Sequence, residues 1–185
     1  MTSEEISSMY NSVKNHSKDS TINRDLCILK LGFGTGLRVS AIVQINIEDI
    51  DFENNQIRVT EKGDRDYYVM IGDNLKNQIM LWLADRKKYF SDCTTNALFV
   101  SQKLCRMSDS TVNRMMHKYA SSVTSKKVTP HVMRHSCATN LYDKTGDIYL
   151  CAKQLNHKNI ATTQRYAEIS KQRQREAANI LDDIV

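Results

Sequence analysis

Proline is almost missing from this 185-residue chain, which holds Pro130 alone, and glycine is scarce at six residues. Such a composition excludes collagen-like, Pro-rich and Gly/Ser-rich segments, and it leaves no linker of those kinds between parts of the chain. Long apolar runs are missing too. None approaches the roughly 18 residues that mark a membrane-spanning helix, and mean hydropathy is -0.50. The opening stretch MTSEEISSMYNS has neither a basic start nor an apolar core, so no secretory signal is expected. Cysteines stand at 27, 93, 105, 137 and 151, an odd number with no CxxC or CxxH pair. That spacing excludes a zinc-finger site and a disulfide framework and reads as reduced thiols. No internal repeat is present. What remains is a length suited to one medium domain, or two small ones, able to bury roughly 70% of its unfolded surface without a disulfide or metal.

What the chain does have is positive charge, placed unevenly. The net charge is +5 and the pI about 8.9. Residues 1–100 hold 12 Lys/Arg and 14 Asp/Glu, whereas residues 101–175 hold 14 Lys/Arg and only 4 Asp/Glu. A basic concentration of this kind suits a polyanionic partner, nucleic acid above all.

The apolar pattern predicts a mainly α protein with a small antiparallel three-stranded sheet, an α+β architecture. Residues 1–20 are polar and read either as a helix with a loose loop behind it or as a linker or N-terminal remnant. Ile22, Leu26, Ile28, Leu29, Leu31 and Phe33 predict a buried helix over Thr21 to Phe33. Gly32, Gly34 and Gly36 are expected to break it into a tight turn that presents Leu37 and Arg38. A short helix follows at 39–46, then β-type runs at Ile47–Phe52, Gln56–Thr60 and Tyr67–Ile71, with turns at Asn54-Asn55 and at Lys62 to Arg65. Beyond Asp73 a helix carries Leu75, Ile79, Trp82 and Leu83 on one face. Another starts at Ser108 or Asp109, and a third at Thr129-Pro130, with Thr as N-cap and Pro in the first helical position. That third helix stops at Gly146. Asp147 caps the next, Asn156-His157 breaks it, and an amphipathic helix is expected over 170–183.

Chemistry concentrates at a few of these places. His131 and Arg134, three apart in the first turn of a helix, project together where free N–H groups and the helix dipole favour an anion. Arg can hold two phosphate oxygens and His can donate or accept a proton. His135 is expected to pack against the core. Arg38 follows the Gly34-Thr35-Gly36 stretch, which is no Walker loop because the Gly-Lys-Ser/Thr ending is absent. Lys62 sits beside Gly63 in a β-turn, His157 in a helix break, and Tyr166 in the polar company of Thr162, Thr163, Gln164 and Arg165. Singly, each also fits an ordinary surface residue. Together they describe metal-free phosphoryl transfer: arginines on the non-bridging oxygens, a tyrosine nucleophile, and a lysine or histidine protonating the leaving oxygen.

This ordered set, with the words GTGLRVS, TPHVMRHSCAT and LNHKNIATTQRYAEI, resembles the catalytic domain of the tyrosine recombinases, the phage and transposon integrases and Xer-type enzymes. The resemblance runs from about residue 20 to about residue 170. It implies a tyrosine-recombinase-like fold with a catalytic domain at 21–169, and a site-specific recombinase, the integrase of a mobile element, that cuts and rejoins DNA without metal or cofactor. Tyr166 would form a 3′-phosphotyrosyl link, Lys62 would protonate the 5′-oxygen, and Arg38 and Arg134 would clamp the phosphate. His131 would act as acid/base near the tyrosine, and His157 would donate to the phosphate. The partner implied is double-stranded DNA, with a tetramer on DNA, a monomer or weak oligomer without it, and a cytoplasmic, nucleoid-associated place in a bacterium.

The same resemblance implies an N-terminal DNA-binding domain in the full-length protein and weak, salt-sensitive DNA binding by this part alone. Helix 170–185, with Ile180, Leu181 and Ile184 on one side, would dock either on its own chain or on a neighbouring protomer. Two positions depart from the family pattern. Ala41 stands where an acid is usual, with Glu48 or Asp49 as candidate replacements, and Asn156 stands where glycine is common. The rival readings are a type IB topoisomerase, a non-catalytic DNA-binding module, and a soluble helical protein with a basic face.

Overall fold

A computed structural model describes residues 1–60, 66–125 and 128–156. The chain separates into two compact units, Met1–Cys137 and Ala138–Val185.

The first unit opens with α1 (Ser3–His16), which begins at a capping box: Thr2 accepts from the Glu5 N–H while the Glu5 carboxylate accepts from the Thr2 N–H. Its buried Ile6, Met9 and Val13 pack on α2 (Asp19–Thr35) and α5 (Asp109–Ala120). Of the two readings of residues 1–20, the helix holds, and it belongs to the core rather than trailing as a linker. α2 is buried on most sides and runs straight through Gly32 and Gly34. The expected turn at the three glycines is therefore one residue wide. Only Gly36 leaves the helix, at φ 69, where an L side chain would be strained.

α3 (Val39–Gln44) follows and is short. Residues Ile47–Asp49 form a single 3₁₀ turn instead of the start of a strand, because Asn46 and Asp49 cap each other. That leaves β1 only Ile50–Asp51, paired antiparallel with β2 (Gln56–Val59), which pairs in turn with β3 (Tyr67–Met70). Asn55 makes the first turn at φ 51. Asp51 holds that turn by accepting from the N–H groups of Glu53 and Asn54 and from the Asn54 and Gln56 amides, and those bonds lower its pKa to about 2. Ile57 faces Val69 across the sheet and both are buried, while Tyr68 and Met70 point to solvent.

α4 (Asp73–Tyr89) buries Leu75, Ile79 and Trp82 and packs along α2. The Trp82 indole N–H donates to the Leu98 carbonyl at 2.9 Å, fixing a segment the apolar pattern had not assigned, Ala97 to Val100, all of it buried. Arg106 ties the far side of that segment to the carbonyls of Val43 and Ile45. Ser108, not Asp109, caps α5.

α6 (Pro130–Thr145) begins in the first unit, with the Thr129 hydroxyl accepting from the Val132 N–H at 3.4 Å. In the second unit, α6 ends by Gly146, at φ 70, and Asp147 caps α7 (Ile148–Gln154) through the N–H groups of Tyr149 and Leu150. Asn156 closes the described chain at φ 48, the left-handed conformation that Asn tolerates better than most residues. Residues 157–185, and with them the expected C-terminal helix, lie outside the described residues. All five cysteines are free thiols, and no described helix is long and apolar enough to cross a membrane.

Candidate active site

One helix end leads to Arg38 and receives a hydrogen bond from Arg134. α2 stops at Gly36, whose N–H returns to the Gly32 carbonyl at 3.1 Å. Leu37 is buried and anchors the exit, its N–H donating to the Thr35 hydroxyl. Arg38 follows in extended backbone as the N-cap of α3 and is exposed. Its exposure is set by its neighbours: Leu37 and Val39 are sunk in the core, and the residue between them faces outward.

Arg134 arrives from α6. It is 9% exposed, and its Nη1 donates to the Gly36 carbonyl at 2.7 Å. That carbonyl belongs to the turn that delivers Arg38, so a single backbone oxygen links the two guanidinium-bearing elements. The approach depends on a missing side chain. A Cβ built on Gly32 would lie 2.6 Å from the Met133 sulfur and 2.7 Å from its methyl group. Met133 is fully buried, and it immediately precedes Arg134.

His131 lies three residues before Arg134, in the first turn of α6, and is exposed. His135 departs from expectation. It is exposed rather than packed in the core, because the buried stripe of α6 here runs through Met133, Arg134, Ser136 and Cys137. Partial desolvation, with the Met1 ammonium adding to it, holds its imidazole below the ordinary histidine pKa.

The position three residues after Arg38 is Ala41, 3% exposed. The two acids that could have replaced a carboxylate there are engaged elsewhere. Asp49 binds Arg58 at 2.6 Å and accepts from the Asn46 N–H, and Glu48 accepts from the Asn96 amide.

Arg38, His131 and Arg134 are therefore described. Lys62, His157 and Tyr166 lie outside the described residues, although the flanks of two of them are fixed. Thr60 donates to Asp66 at 2.7 Å across the base of the β2–β3 connection that contains Lys62, and Asn156 immediately precedes His157. Sequence reasoning missed the part played by the Gly36 carbonyl and by Gly32. Their signal was present in the glycine spacing, but a helix end and a helix–helix contact both call for glycine, and spacing alone does not separate them.

Guanidinium groups suit tetrahedral oxyanions, and the described residues include one exposed arginine just after the Gly36 turn and one buried arginine bonded to that turn. Comparison with known proteins gives the same direction. Residues 1–173 match the profile of the phage integrase family. The chain is 35% identical over 158 residues to tyrosine recombinase XerC of Syntrophus aciditrophicus (strain SB), which is 81% of this chain and 50% of that protein. It is 31% identical over 150 residues to XerC of Shewanella sp. (strain ANA-3), again covering 50% of the relative. Among solved structures it is similar to XerA recombinase, with a TM-score of 0.81 and 30% identity over 97% of this chain and 63% of that one. It is also similar to XerH site-specific recombinase bound to palindromic difH substrate in a post-cleavage complex, with a TM-score of 0.78 and 27% identity over 98% of this chain and 53% of that one. The chain thus spans about half the length of the curated relatives it matches.

Proposed function

Because the chain belongs to the phage integrase family of tyrosine recombinases, we propose that it is the catalytic part of a site-specific recombinase that cuts and rejoins duplex DNA through a 3′-phosphotyrosyl intermediate. The observation that carries this reading is the bond from Arg134 Nη1 to the Gly36 carbonyl, which supports a preset pair of arginines on one phosphate.

In the proposed reaction the Tyr166 hydroxyl oxygen attacks the scissile phosphorus and the bond to the 5′-oxygen breaks. Lys62 protonates the departing 5′-oxygen, and His131 takes the proton of the tyrosine. Arg38, Arg134 and His157 hold the non-bridging oxygens, whose charge grows in the transition state, and donors placed in advance for that charge are worth about 10²–10³ each in rate. A 5′-hydroxyl from a partner strand then attacks the phosphotyrosine, so the bond energy is kept and no nucleotide is consumed. The wider assignment has four copies acting on DNA, a monomer or weak oligomer without it, a further DNA-binding domain in the full-length protein, and a role in moving a mobile element.

A nicked suicide duplex tests the reading, since loss of the short fragment beside the nick traps the covalent complex. The complex is expected with the native chain and absent from Tyr166→Phe. Its persistence in that variant would put the nucleophile elsewhere. Relaxation of a supercoiled plasmid without any strand exchange would favour the topoisomerase reading instead.

A further inference from the structure

Two of the five thiols are not buried, Cys93 and Cys105, and the fold brings these two close. Cys93 lies just beyond α4, where its N–H donates to the Phe90 carbonyl at 3.0 Å. Cys105 lies in the exposed turn that returns the chain from Val100 to Arg106. The Cys93 sulfur donates to the Leu104 carbonyl at 3.2 Å. That oxygen is joined to the Cys105 nitrogen through one carbon atom, so the Cys93 sulfur lies within about 6 Å of the Cys105 Cα.

Each sulfur has a setting of its own. Arg86 Nη2 stands 3.8 Å from the Cys93 sulfur while donating to the Thr95 carbonyl at 2.6 Å. Among the described residues no carboxylate lies within ion-pair distance of Arg86, so no acid neutralises its charge. A partly exposed thiol beside a cation is the usual setting of a reactive cysteine. Cys105 is held more loosely, its sulfur meeting the Ser101 hydroxyl at 3.2 Å. Between the two, Leu104 sits at φ 58, a left-handed conformation that leucine rarely adopts. Strain of that kind collects where a structure binds or switches.

We propose that Cys93 and Cys105 are a modification site for hydroperoxides, which join them in a reversible disulfide. The Cys93 sulfur attacks the terminal oxygen of the peroxide, the O–O bond breaks, and the leaving oxygen departs with the thiol proton as water or an alcohol. Cys93 is left as a sulfenic acid. The Cys105 sulfur then attacks that sulfur, the S–O bond breaks, and the hydroxyl leaves as water with the Cys105 proton. The two thiols lose two electrons in all, and the peroxide gains them. A disulfide takes Cα atoms about 4.4–6.8 Å apart, so the Cys105 sulfur leaves Ser101 and the exposed turn moves toward the end of α4. Cys27, Cys137 and Cys151 are buried and take no part. Cys105 runs directly into Arg106, which holds the Val43 and Ile45 carbonyls. The bridge therefore forms beside the support of α3, the helix that Arg38 caps.

The test treats the native chain with hydrogen peroxide, blocks remaining thiols with N-ethylmaleimide and maps the peptides by mass spectrometry. A linked Cys93–Cys105 peptide is expected, two hydrogens lighter than the reduced pair, and glutathione is expected to restore both thiols. Cys105→Ser removes the second thiol and is expected to accumulate sulfenic acid at Cys93, trapped by dimedone. Cys93→Ser is expected to label at Cys105 about tenfold more slowly or less. Tyr166→Phe is expected to form the same bridge, because no part of it draws on strand transfer. Peroxide that leaves both thiols free, or drives both to sulfinic acid without a linked peptide, overturns the proposal. A bridge found only between two chains, as a dimer on a non-reducing gel, also overturns it. Equal dimedone labelling of the two single variants overturns the assignment of Cys93 as the attacking thiol.

Discussion

Arg134 shows how a side chain proposed for chemistry can also sit in the core. It is buried like a packing residue, yet its charge needs partners, and a backbone carbonyl supplies one of them at 2.7 Å. Lysine keeps the charge but not the planar fork, so it cannot hold that carbonyl and a phosphate oxygen in the same geometry. Arg134→Lys is therefore expected to slow formation of the covalent complex by about 10²-fold or more, while its melting temperature falls by only a few degrees. Equal covalent-complex rates in the two proteins would show that Arg134 serves packing alone. Ala41 is the converse case. The apolar neighbours that leave it 3% exposed explain why a small residue is accepted there, and neither Glu48 nor Asp49 turns toward its role.

At the scale of elements, the glycines of α2 separate cleanly. Gly34 is exposed and helical, and a Cβ there would meet nothing within 4 Å. Gly34→Ala is expected to stabilise the protein by about 0.5–1 kcal/mol, because alanine loses less freedom on entering a helix. Gly32→Ala gains the same propensity but must push the buried tip of Met133, and overpacking of that kind costs about 1–3 kcal/mol. Chemical denaturation of both variants checks the contrast, and an equal gain at Gly32 would show that Met133 moves aside at no cost.

The same segment marks what could be read from sequence. Capping at Thr129, Ser108 and Asp147, the apolar face of α4 and the three-strand meander were all legible, because each is a local pattern with a local cause. The extent of α2 past its glycines was not, since tertiary packing overrides their weak helix preference. The start of β1 was lost to a reciprocal cap between Asn46 and Asp49 that looks like strand sequence. His135 was misplaced because the buried stripe of α6 includes polar Arg134 and Ser136, which a hydrophobic periodicity does not count. Of the candidate site, Arg38, His131 and Arg134 fall among the described residues, whereas the bond from Arg134 to the Gly36 turn runs to a main-chain atom and leaves no mark in residue identity.

For the molecule as a whole, the charge skew acquires a geometry. Arg38 comes from the slightly acidic half and Arg134 from the basic one, so the proposed phosphate clamp draws one cation from each. Counting the proposed contacts of Arg38 and Arg134 alone gives a salt slope of about -2, hence a loss of roughly tenfold in affinity between 50 and 200 mM salt. Binding of the isolated chain to duplex is expected to be weak at physiological salt, and nanomolar affinity there in an anisotropy titration would contradict it. A last consequence concerns how this protein tolerates change over time. The partner of Arg134 at residue 36 is a carbonyl that every amino acid possesses, so no substitution there can delete the acceptor by its chemistry. What filters variation is shape alone: the φ of 69 at residue 36 admits glycine freely and asparagine at some cost. A position with no side chain to lose can drift only as far as its backbone angle permits.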